Sequence, residues 1–569
     1  MIHRKLYTPH ASSSAASWQD THSLRQTLDR AHTRLFIMCC SFIFIFVVIS
    51  ARLIDVTLLR GDGEENFMRA DALKLPRFRA DIVDRQGELL VTSLKTSSLY
   101  ANPRVVLDPH EVTLKLSKVL PELNCKATLQ RLQSKKGFVW LVRHLPPQKQ
   151  AEVMRLGLPG LYFQQDERRV YPHGELFAHV LGYTDVDNQG LGGVERAFNT
   201  DLLKKDTPLA LSLDLRIQHV LRDELSEGIE RFEAQGGAGI VMNVKTGEVL
   251  AMVSLPDFDP NHVGNLGTEK DALFNRLTLG TYEMGSSFKI FNTALYLEQA
   301  NANLFKMFDV TGPLRLGRFR ITDFHPAHYP LTVGEIFTKS SNIGAAKMAL
   351  EMGSLCQKSF FENLGFFKPA SLEIPELGTP LYPKNWSEAT TITASYGYGV
   401  AITPIQLVTA IAGIANKGVM HSATLLKTEG QALSGKRIVS EKTSDIMRQL
   451  MYLVVAEGTG KKARVEGYQV GGKTGTANTL AGNSYQEGVN MTSFVGVFPM
   501  SSPQYLVLVM VDRPQATKET YGFNAGGWNA APIAGKVIER VASLLQVPPL
   551  PESTNAQENP MLIQARITQ

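Results

Sequence analysis

The segment Gly285-Ser286-Ser287-Phe288-Lys289 combines residue types that can perform acyl-transfer chemistry. A serine three residues before a lysine brings both side chains to one face if the segment is helical. The first turn of a helix also carries backbone N–H groups without partners, and these can stabilise an oxyanion. A nucleophile, a base and an oxyanion donor would then lie within one turn. Alone the pattern is weak, because the start of an ordinary surface helix has the same spacing.

Two further motifs lie downstream and could supply the groups that a serine nucleophile needs. Ser340-Ser341-Asn342 places a hydroxyl and an amide two positions apart, and Lys473-Thr474-Gly475-Thr476 places a second lysine beside hydroxyl groups. Each motif alone is common, since a Ser-Ser-Asn is usually a turn or a helix cap. All three in this order are a much rarer coincidence, and they match the motif order of serine enzymes that open lactam and peptide carbonyls.

A second copy of the last motif occurs upstream, at Lys245-Thr246-Gly247. Its polar flanks are followed by apolar runs on each side, which predicts the turn of a β-hairpin. The copy at Lys473 has Gly471-Gly472 before it and Thr476-Ala477 after it, and small residues let a substrate backbone lie along a strand edge. We therefore assign the chemistry to Lys473 and the turn to Lys245.

The composition disfavours several other classes of function. The formal charge is +5 over 569 residues, and no basic run indicates a nucleic-acid surface. The four cysteines form no Cys-x-x-Cys pair and no Cys/His cluster, so structural zinc and redox catalysis are not expected. His179 lies in an apolar neighbourhood with no evident carboxylate partner, which indicates a hydrogen-bonded structural histidine. We expect neither a metal nor an organic cofactor.

The elements predicted around the motifs form an α+β domain. Asp214 is a helix N-cap, the apolar residues after it recur at helical spacing, and an apolar hairpin follows at 238–244 and 248–253. Helices against an antiparallel sheet are the arrangement that this order favours. Later strands are predicted at 468–471, 494–498 and 505–511, a final helix at 532–545, and two short strands around the turn Arg85-Gln86-Gly87.

The N-terminal apolar run is predicted to be a membrane anchor. Residues 35–51 carry no charge, and Arg52 can snorkel so that Leu53 and Ile54 extend the run to about 20 residues. A buried core helix is disfavoured because the run is apolar on every face. A cleaved signal peptide is the other alternative, but the leader is too long for one. The positive charges on the two sides are balanced and barely decide the orientation.

The chain resembles a class B penicillin-binding protein, and most closely the cell-division (septal) peptidoglycan D,D-transpeptidase. The resemblance extends from the anchor to about residue 545. Beyond the three motifs it rests on segments similar to the family's pedestal and to a late loop, at 79–87, 169–174, 190–195 and 396–406. The chain departs from the family's pattern at Ala80, Met284 and Ser287, where glycine, proline and threonine are usual, and none of these changes removes a catalytic group.

The resemblance implies five segments. They are a cytoplasmic tail at 1–34, a single transmembrane helix at 35–54, an extended mixed pedestal domain at 55–210, a transpeptidase domain with an antiparallel sheet between helices at 211–546, and a disordered tail at 547–569. The protein is then expected in the inner membrane as a single-pass protein with a periplasmic catalytic domain.

The resemblance also implies a role for each polar group of the first two motifs. Ser286 is expected to attack the penultimate D-Ala carbonyl of a peptidoglycan stem peptide. Lys289 can act as its base only when neutral, a state that desolvation and the neighbouring cation Lys473 would favour. Ser340 is expected to relay a proton to the leaving amine, and Asn342 to orient the peptide.

The third motif is expected to bind the substrate. The hydroxyl groups of Thr474 and Thr476, with Lys473, suit the terminal carboxylate, and Gly475 belongs to the same substrate-binding set. Backbone N–H groups of Ser286 and Thr476 are expected to form the oxyanion hole. The expected ligands are stem peptides ending in D-Ala-D-Ala and, as covalent inhibitors, β-lactams.

Other interpretations remain open at this point. An elongation-type transpeptidase is the nearest alternative, and only the sequences of 396–406 and of the pedestal motifs favour the septal type. A D,D-carboxypeptidase or a lactamase on the same scaffold is disfavoured by the anchor and the large N-terminal segment. A membrane-anchored β-lactam sensor or a division scaffold with a vestigial site is a further alternative, and the vestigial form is disfavoured because all the expected catalytic residues are intact, namely Ser286, Lys289, Ser340, Asn342 and Lys473. No glycosyltransferase motif is evident, so the resemblance implies a separate membrane glycosyltransferase. That enzyme and other division proteins would dock on the anchor and residues 55–210.

Overall fold

The computed structural model describes residues 36–51, 53–54, 79–205, 207–265, 270–299, 303–317, 319–429, 434–481 and 484–550. The chain divides into two compact units, residues 1–77 and 78–569. In the first unit, residues 36–51 are helical. A search of the described helices for one long and apolar enough to cross a membrane finds none. The predicted tail at 1–34 lies outside the described residues, as does most of the predicted tail at 547–569.

The pedestal segment is built on one long strand, Leu89–Ala101. It pairs antiparallel with Val139–Leu145 on one side and with Leu161–Val170 on the other. Three helices pack on the apolar side chains of this sheet, and the shared core contains Leu99 and Leu141 from the strands and Leu116 from a helix. Those helices are Pro109–Val119, Cys125–Leu132 and Pro147–Arg155.

The predicted turn at Arg85-Gln86-Gly87 is confirmed. Asp84 Oδ1 accepts hydrogen bonds from the N–H groups of Gln86 and Glu88, at 2.7 and 2.9 Å. The turn joins the strand Ile82–Val83 to the long pedestal strand, and Ile82–Val83 also pairs in parallel with Leu209–Ala210. This short strand therefore ties the pedestal to the entry of the following domain.

A buried ion network joins the three segments that resembled the family's pedestal. Glu195 is fully buried and accepts from Arg79 Nε at 2.6 Å and from Arg169 Nε at 2.7 Å. Arg79 also donates to the carbonyl of Asn188 and to Asn199 Oδ1. Removing one partner of such a buried pair costs roughly 3–5 kcal/mol, because the remaining charge is left uncompensated.

The second half of the chain forms a five-stranded antiparallel sheet. Its strand order is Gly471–Ala481, Ser484–Phe498, Tyr505–Asp512, Gly236–Asn243 and Val249–Leu255. Gly471–Ala481 is therefore an outer strand of the sheet, and we call it the edge strand. The last two strands are the predicted hairpin, although each extends two residues farther at its outer end and stops one residue short of the predicted limit at the turn.

Helices cover both faces of this sheet, as the sequence predicted. Alternate residues of one strand point to opposite faces, so Val241 packs with the helices Leu215–Arg231 and Ala530–Leu544, while Ile240 packs on the other side. The helices of that second face include Lys289–Gln299, Asn342–Met352, Pro404–Ala415 and Glu441–Ala456.

Shorter elements complete the described part of the chain. The remaining α-helices of the described residues are Ala178–Leu181, Gly193–Ala197, Asn199–Lys204, Val333–Lys339, Ser354–Asn363 and Glu388–Ser395, and short 3₁₀ helices lie at Gly174–Phe177, Val263–Asn265, Lys270–Leu273 and Lys461–Ala463. The remaining strands are Tyr282–Glu283, Met307–Phe308, Leu314–Leu316, Phe319–Ile321, Leu331–Thr332, Ala401–Ile402, Val419–Met420 and Lys436–Arg437.

The C-terminal boundary differs from the one predicted at 546. Val547 is buried in the core, and the N–H of Leu550 donates to the carbonyl of Gly467 at 2.8 Å. The chain thus stays attached to the domain through residue 550, so the start of the segment expected to be disordered is ordered by a buried side chain.

Candidate active site

Ser286 lies in a short 3₁₀ turn, Gly285–Phe288, and not in the helix that follows it. The helix Lys289–Gln299 begins at the lysine itself. In a 3₁₀ turn, side chains three residues apart eclipse each other, and Lys289 Nζ lies 2.9 Å from Ser286 Oγ. The predicted serine–lysine contact is therefore present, with a tighter turn than the one expected.

Gly285 lets this turn approach the edge strand. Its φ is +51°, and a Cβ atom at this position would lie 2.3 Å from the carbonyl oxygen of Thr476. Any side chain would therefore separate the two backbones. The glycine places the backbone of Ser286 next to that of Thr476, which are the two residues expected to provide the oxyanion hole.

Lys289 is the centre of the cluster. Its side chain is buried, and Nζ contacts four oxygen atoms. Besides Ser286 Oγ, these are the carbonyl oxygen of Ser340 at 2.8 Å, Ser340 Oγ at 3.1 Å and Asn342 Oδ1 at 2.7 Å. The first two motifs, 54 positions apart, thus meet on one amine.

Ser340 has a left-handed backbone conformation, with φ +62° and ψ +42°, at the C-terminal end of the helix Val333–Lys339. This conformation is unfavourable for residues other than glycine, and such strain is found where function requires it. Here it turns both the carbonyl and the hydroxyl of Ser340 towards Lys289. The same hydroxyl lies 3.0 Å from Lys473 Nζ, so it bridges the two lysines.

Asp323 belongs to this site, and the sequence did not point to it. Its Oδ1 accepts from the N–H groups of Asn342 and Ile343, and its Oδ2 accepts from Ser341 Oγ at 2.6 Å. The carboxylate therefore fixes the start of the helix Asn342–Met352, where the helix dipole also favours a negative charge. Ser341 adds a cap through Gly344 N–H at 2.9 Å.

Lys473 reaches the cluster from the edge strand. The sequence placed it after a strand at 468–471, which was wrong, because the strand begins at Gly471 and contains the whole motif. Gly471 has a different purpose from the one inferred, since a Cβ there would lie 2.9 Å from the backbone nitrogen of Tyr452. The small residue allows the helix Glu441–Ala456 to pack on the strand rather than a substrate to lie there.

The surroundings of Lys289 and Lys473 favour the neutral form of each amine. Burial lowers the pKa of Lys289 well below its ordinary value, and the nearby charge of Lys473 lowers it further while Asp323 raises it. Burial alone lowers the pKa of Lys473 to about 7. The sequence emphasised repulsion between the two lysines, whereas desolvation is the larger cause for both.

The substrate-binding residues expected from the third motif lie along the edge strand. Thr474 Oγ1 is 3.0 Å from Thr459 Oγ1, and Thr476 Oγ1 accepts from the N–H of Gly526 at 3.1 Å. Gly475 lies so close to the serine turn that a Cβ on it would be 2.8 Å from the carbonyl oxygen of Met284. The strand and the turn that carries Ser286 are therefore in direct contact.

The two residues excluded from the chemistry are placed as predicted. Lys245 is exposed in the hairpin turn, whose Gly247 has φ +79° and donates its N–H to the carbonyl of Asn243. His179 is buried, its Nε2 lies 2.8 Å from the carbonyl oxygen of Ala272, and burial lowers its pKa to about 4. Both interpretations are confirmed.

Comparison with protein families identifies both parts of the described chain. Residues 237–539 match the penicillin binding protein transpeptidase domain, and residues 74–203 match the penicillin-binding protein dimerisation domain. The first match contains every residue of the lysine cluster. The second match covers most of the segment expected to form the pedestal.

Curated relatives agree with these matches. The chain is 38% identical to the probable peptidoglycan D,D-transpeptidase FtsI of Caulobacter vibrioides, over 82% of each chain. It is 28% identical to the peptidoglycan D,D-transpeptidase FtsI of Escherichia coli K12, over 88% of each chain. It is 29% identical to the stage V sporulation protein D of Bacillus subtilis, over 91% of this chain and 86% of the relative.

Solved structures support the fold. Penicillin binding protein 3 from Mycobacterium tuberculosis, complexed with aztreonam, superposes with a TM-score of 0.66 at 23% identity. The match covers 84% of this chain and 98% of that one. A peptidoglycan synthetase from Bifidobacterium adolescentis gives a TM-score of 0.67 at 21% identity, over 85% of this chain and 98% of that one.

Proposed function

Because this chain belongs to the class B penicillin-binding proteins and is a peptidoglycan D,D-transpeptidase, we propose that Ser286 forms the acyl-enzyme with which it cross-links stem peptides. The observation that carries the proposal is the contact between Ser286 Oγ and a buried lysine amine 2.9 Å away. A serine hydroxyl is a poor nucleophile until a base takes its proton. Few environments other than burial leave a lysine neutral enough for that task.

Proton movement follows the contacts of Lys289. Its neutral amine takes the proton of Ser286 as Oγ attacks the penultimate D-Ala carbonyl. Ser340 Oγ, within 3.1 Å of both lysine amines, passes a proton to the amine of the departing terminal D-Ala. Asn342 holds Lys289 through its Oδ1, while its amide nitrogen donates to the carbonyl of Thr322 at 3.2 Å. The amide thereby orients the base as well as the peptide beside it.

The edge strand binds the substrate in this proposal. Thr474 and Thr476 hydroxyls with Lys473 receive the terminal carboxylate, and Gly475 keeps the strand close to the serine turn. Backbone N–H groups of Ser286 and Thr476 stabilise the oxyanion, and the close approach of Gly285 to Thr476 supports this pairing. Losing one such donor costs roughly 2.7–4 kcal/mol of transition-state stabilisation.

Labelling with a fluorescent penicillin tests the nucleophile. The wild type and Ser287→Ala are expected to become labelled, whereas Ser286→Ala is expected to stay unlabelled. Ser287 is the matched control because it lies in the same turn and is fully buried. Labelling that persists in Ser286→Ala would mean that another residue forms the ester.

The cellular role that we propose is cross-linking at the division septum. The segments 396–406 and the pedestal motifs resemble the septal type, and two curated relatives carry the name FtsI. Depletion in growing cells tests this role. Filaments would support a septal enzyme, whereas round cells would indicate the elongation type.

We also propose that residues 35–54 anchor the protein in the inner membrane, with the catalytic domain in the periplasm and residues 1–34 in the cytoplasm. The run without charge supports this placement. A periplasm-active reporter fused after residue 550 should be active, and the same reporter fused at residue 11 should be silent; the opposite pattern would reverse the orientation. The anchor and the pedestal segment are the surfaces that we propose for a membrane glycosyltransferase and other division proteins.

A further inference from the structure

A short hairpin leads into the active site and carries two arginines on one face. Its strands Leu314–Leu316 and Phe319–Ile321 pair antiparallel, and Arg315 lies directly opposite Arg320 in this register. Side chains at directly opposite positions of two antiparallel strands point to the same face, with Cβ atoms roughly 4.5–5.5 Å apart. Two positive charges are therefore held side by side.

The other face of the hairpin fixes its orientation. Leu314 and Ile321 are partly buried and pack against the core of the catalytic domain. Because successive side chains of a strand point to opposite faces, Arg315 and Arg320 point away from that core. Both arginines are exposed. The arginine face is thus open to solvent and to a ligand.

Neither arginine has a carboxylate partner among the residues that the structure describes. The nearest acidic residues along the chain have other contacts. Asp309 accepts through Oδ1 from the N–H and the hydroxyl of Thr311, and both oxygens of Asp323 bind the start of the helix Asn342–Met352. Like charges directly opposite each other destabilise a strand pair. An anion bound between the two guanidinium groups would remove this repulsion.

The hairpin leads directly to the residues that surround Lys289. Its last strand ends at Ile321, and the carbonyl of the next residue, Thr322, accepts from the amide nitrogen of Asn342 at 3.2 Å. The amide oxygen of Asn342 lies 2.7 Å from Lys289 Nζ. Arg320 is two residues before Thr322, which is roughly 7 Å in an extended strand. The arginine pair is therefore within reach of a peptide that binds beside Asn342.

The course of the donor peptide indicates which anion reaches this position. In the proposed function its terminal carboxylate binds the edge strand at Thr474 and Thr476, and the acylated D-Ala lies at Ser286. The residues before that D-Ala then continue on the side of Asn342. Two residues of extended peptide span roughly 7 Å. The second residue before the acylated D-Ala of a stem peptide is a glutamate linked through its γ-carboxyl, which leaves its α-carboxylate free.

We propose that Arg315 and Arg320 bind this free α-carboxylate and so make the enzyme select donor peptides that carry it. The inference rests on the proposed function and adds a specificity determinant to it. A planar guanidinium suits a carboxylate because it can donate two parallel N–H hydrogen bonds to the two oxygens. A donor whose glutamate is amidated to isoglutamine has the same shape but no charge, and it loses this attraction.

Two donors that differ only in this group test the inference. Each is a peptide thioester, L-Ala-γ-D-Glu-acetyl-L-Lys-D-Ala, with mercaptoacetate in place of the terminal D-Ala; the second donor has D-isoglutamine instead of the glutamate. The full-length protein is given each donor, and the released thiol is measured. A fluorescent penicillin, which has no such glutamate, reports acylation alone.

The variant is Arg315→Gln combined with Arg320→Gln. The matched control is Lys126→Gln combined with Arg155→Gln, which also removes two exposed charges but from the helices of the pedestal segment. Because the arginines of the hairpin are exposed, we expect both double variants to fold like the wild type.

The wild type is expected to prefer the glutamate donor roughly five- to tenfold in kcat/KM at low ionic strength, somewhat more than one exposed ion pair provides. The hairpin double variant should cleave both donors at the wild-type rate for the isoglutamine donor, and its penicillin labelling should stay within about twofold of the wild type. The control should keep the preference. Arg320→Glu should lose the preference without a lower thermal midpoint, because its carboxylate pairs with Arg315 across the strands.

Three results would overturn the inference and leave the acyl-enzyme intact. They are equal rates for the two donors in the wild type, a preference that persists in the hairpin double variant, and an equal loss of preference in the control. The first two would show that these arginines do not recognise the donor, and the third would show a general effect of net charge. A wild type that cleaves neither thioester contradicts the proposed function itself, and the inference falls with it.

Discussion

The chain contains the tripeptide Lys-Thr-Gly twice, and the two copies have opposite environments. Lys473-Thr474-Gly475 lies in the edge strand, where the lysine is completely buried and its amine contacts Ser340. Lys245-Thr246-Gly247 forms the turn of the hairpin at the other end of the sheet, between Gly236–Asn243 and Val249–Leu255, where the lysine is exposed. In this turn the Thr246 hydroxyl donates a hydrogen bond to Glu248 Oε2, two residues along the chain, at 3.1 Å.

The difference shows that the tripeptide alone does not determine the surroundings of its lysine, and that burial in the edge strand is what lowers the pKa of Lys473. An exposed lysine stays charged, so its amine can neither accept a proton nor influence a neighbour's pKa strongly. A buried lysine has a lowered pKa because the low-dielectric interior disfavours its charge. The hairpin turn needs its glycine for backbone conformation, whereas the edge strand needs its glycine for close packing.

The largest expected contrast is between the two lysines. Lys473→Ala should slow acylation by a fluorescent penicillin roughly 10²–10⁴-fold, the range for removing a group that moves protons. Lys245→Ala should acylate at nearly the wild-type rate, because its side chain points to solvent. Stopped-flow labelling measures both rates. A slow Lys245→Ala with a normal Lys473→Ala would reverse the assignment of the two copies.

The second contrast is in stability and its dependence on pH. The pKa of Lys473 is about 7 in the folded chain and returns to its ordinary 10.5 in the unfolded chain. Between these values the unfolded state binds more protons, so the free energy of unfolding rises with pH, by at most about 1.4 kcal/mol per unit. Below about pH 7 both states are protonated and the folded chain bears the whole penalty of the buried charge.

Lys473→Met removes this penalty. Near pH 7 the free energy of unfolding of the variant should therefore exceed that of the wild type by roughly a few kcal/mol, and its denaturation midpoint should lie at a higher denaturant concentration. This difference should shrink towards pH 10. Lys245→Met, with an exposed side chain, should follow the wild type at every pH. Denaturation curves at several pH values measure this, and parallel curves for Lys473→Met and the wild type would contradict it.

The third contrast is between two buried carboxylates, Asp323 beside the lysine cluster and Glu248 beside the hairpin turn. Asp323 accepts three hydrogen bonds from the segment that carries Asn342, and its charge raises the pKa of Lys289. Asp323→Asn should therefore shift the acid limb of the acylation profile to lower pH, because Lys289 loses its proton more easily. One acceptor oxygen is also lost, and the maximal rate should fall roughly tenfold.

Glu248 is the matched control for Asp323. It is also buried, and it accepts from Thr246 Oγ1 and from the N–H of Thr428 in the hairpin region. Glu248→Gln should lower the thermal midpoint but leave the pH profile of acylation unchanged. An unshifted profile for Asp323→Asn would mean that Asp323 acts only as a helix cap.

The motifs could be predicted from the sequence because their spacing is local. Ser286 and Lys289 are three positions apart, and the flanks of Lys245 are those of a turn, so both followed from patterns within a few residues. The resemblance to a family then joined the distant motifs. The hairpin, the alternating sheet and its helices followed from the periodicity of apolar residues.

Asp323 and the edge strand could not be predicted in this way. No local pattern connects residue 323 to the N–H groups at 342 and 343, which only the fold brings together. The edge strand begins at Gly471, although glycine pairs usually weaken a strand. A Cβ on Gly471 would meet the helix Glu441–Ala456 and one on Gly472 would meet Val495 of the neighbouring strand, so both glycines are needed for contacts that only the fold creates. The network of Arg79, Arg169 and Glu195 likewise depends on contacts between residues 116 and 26 positions apart.

The smallest contrast concerns the two glycines of the tripeptides. Gly247 has φ +79°, so Gly247→Ala should lower the free energy of unfolding by about 1–3 kcal/mol and leave acylation unchanged. Gly475 has no positive φ, but a Cβ there would press on the carbonyl of Met284, two residues before Ser286. Gly475→Ala should therefore displace the serine turn and slow acylation a few-fold to roughly tenfold, since small misplacements of reacting groups are costly.

Measuring thermal midpoint and acylation rate for both variants separates the two effects. A Gly475→Ala variant that lost only stability would contradict the role of this glycine in packing the edge strand against the serine turn. A Gly247→Ala variant that lost activity at a temperature where it is folded would contradict the purely structural role of the hairpin copy.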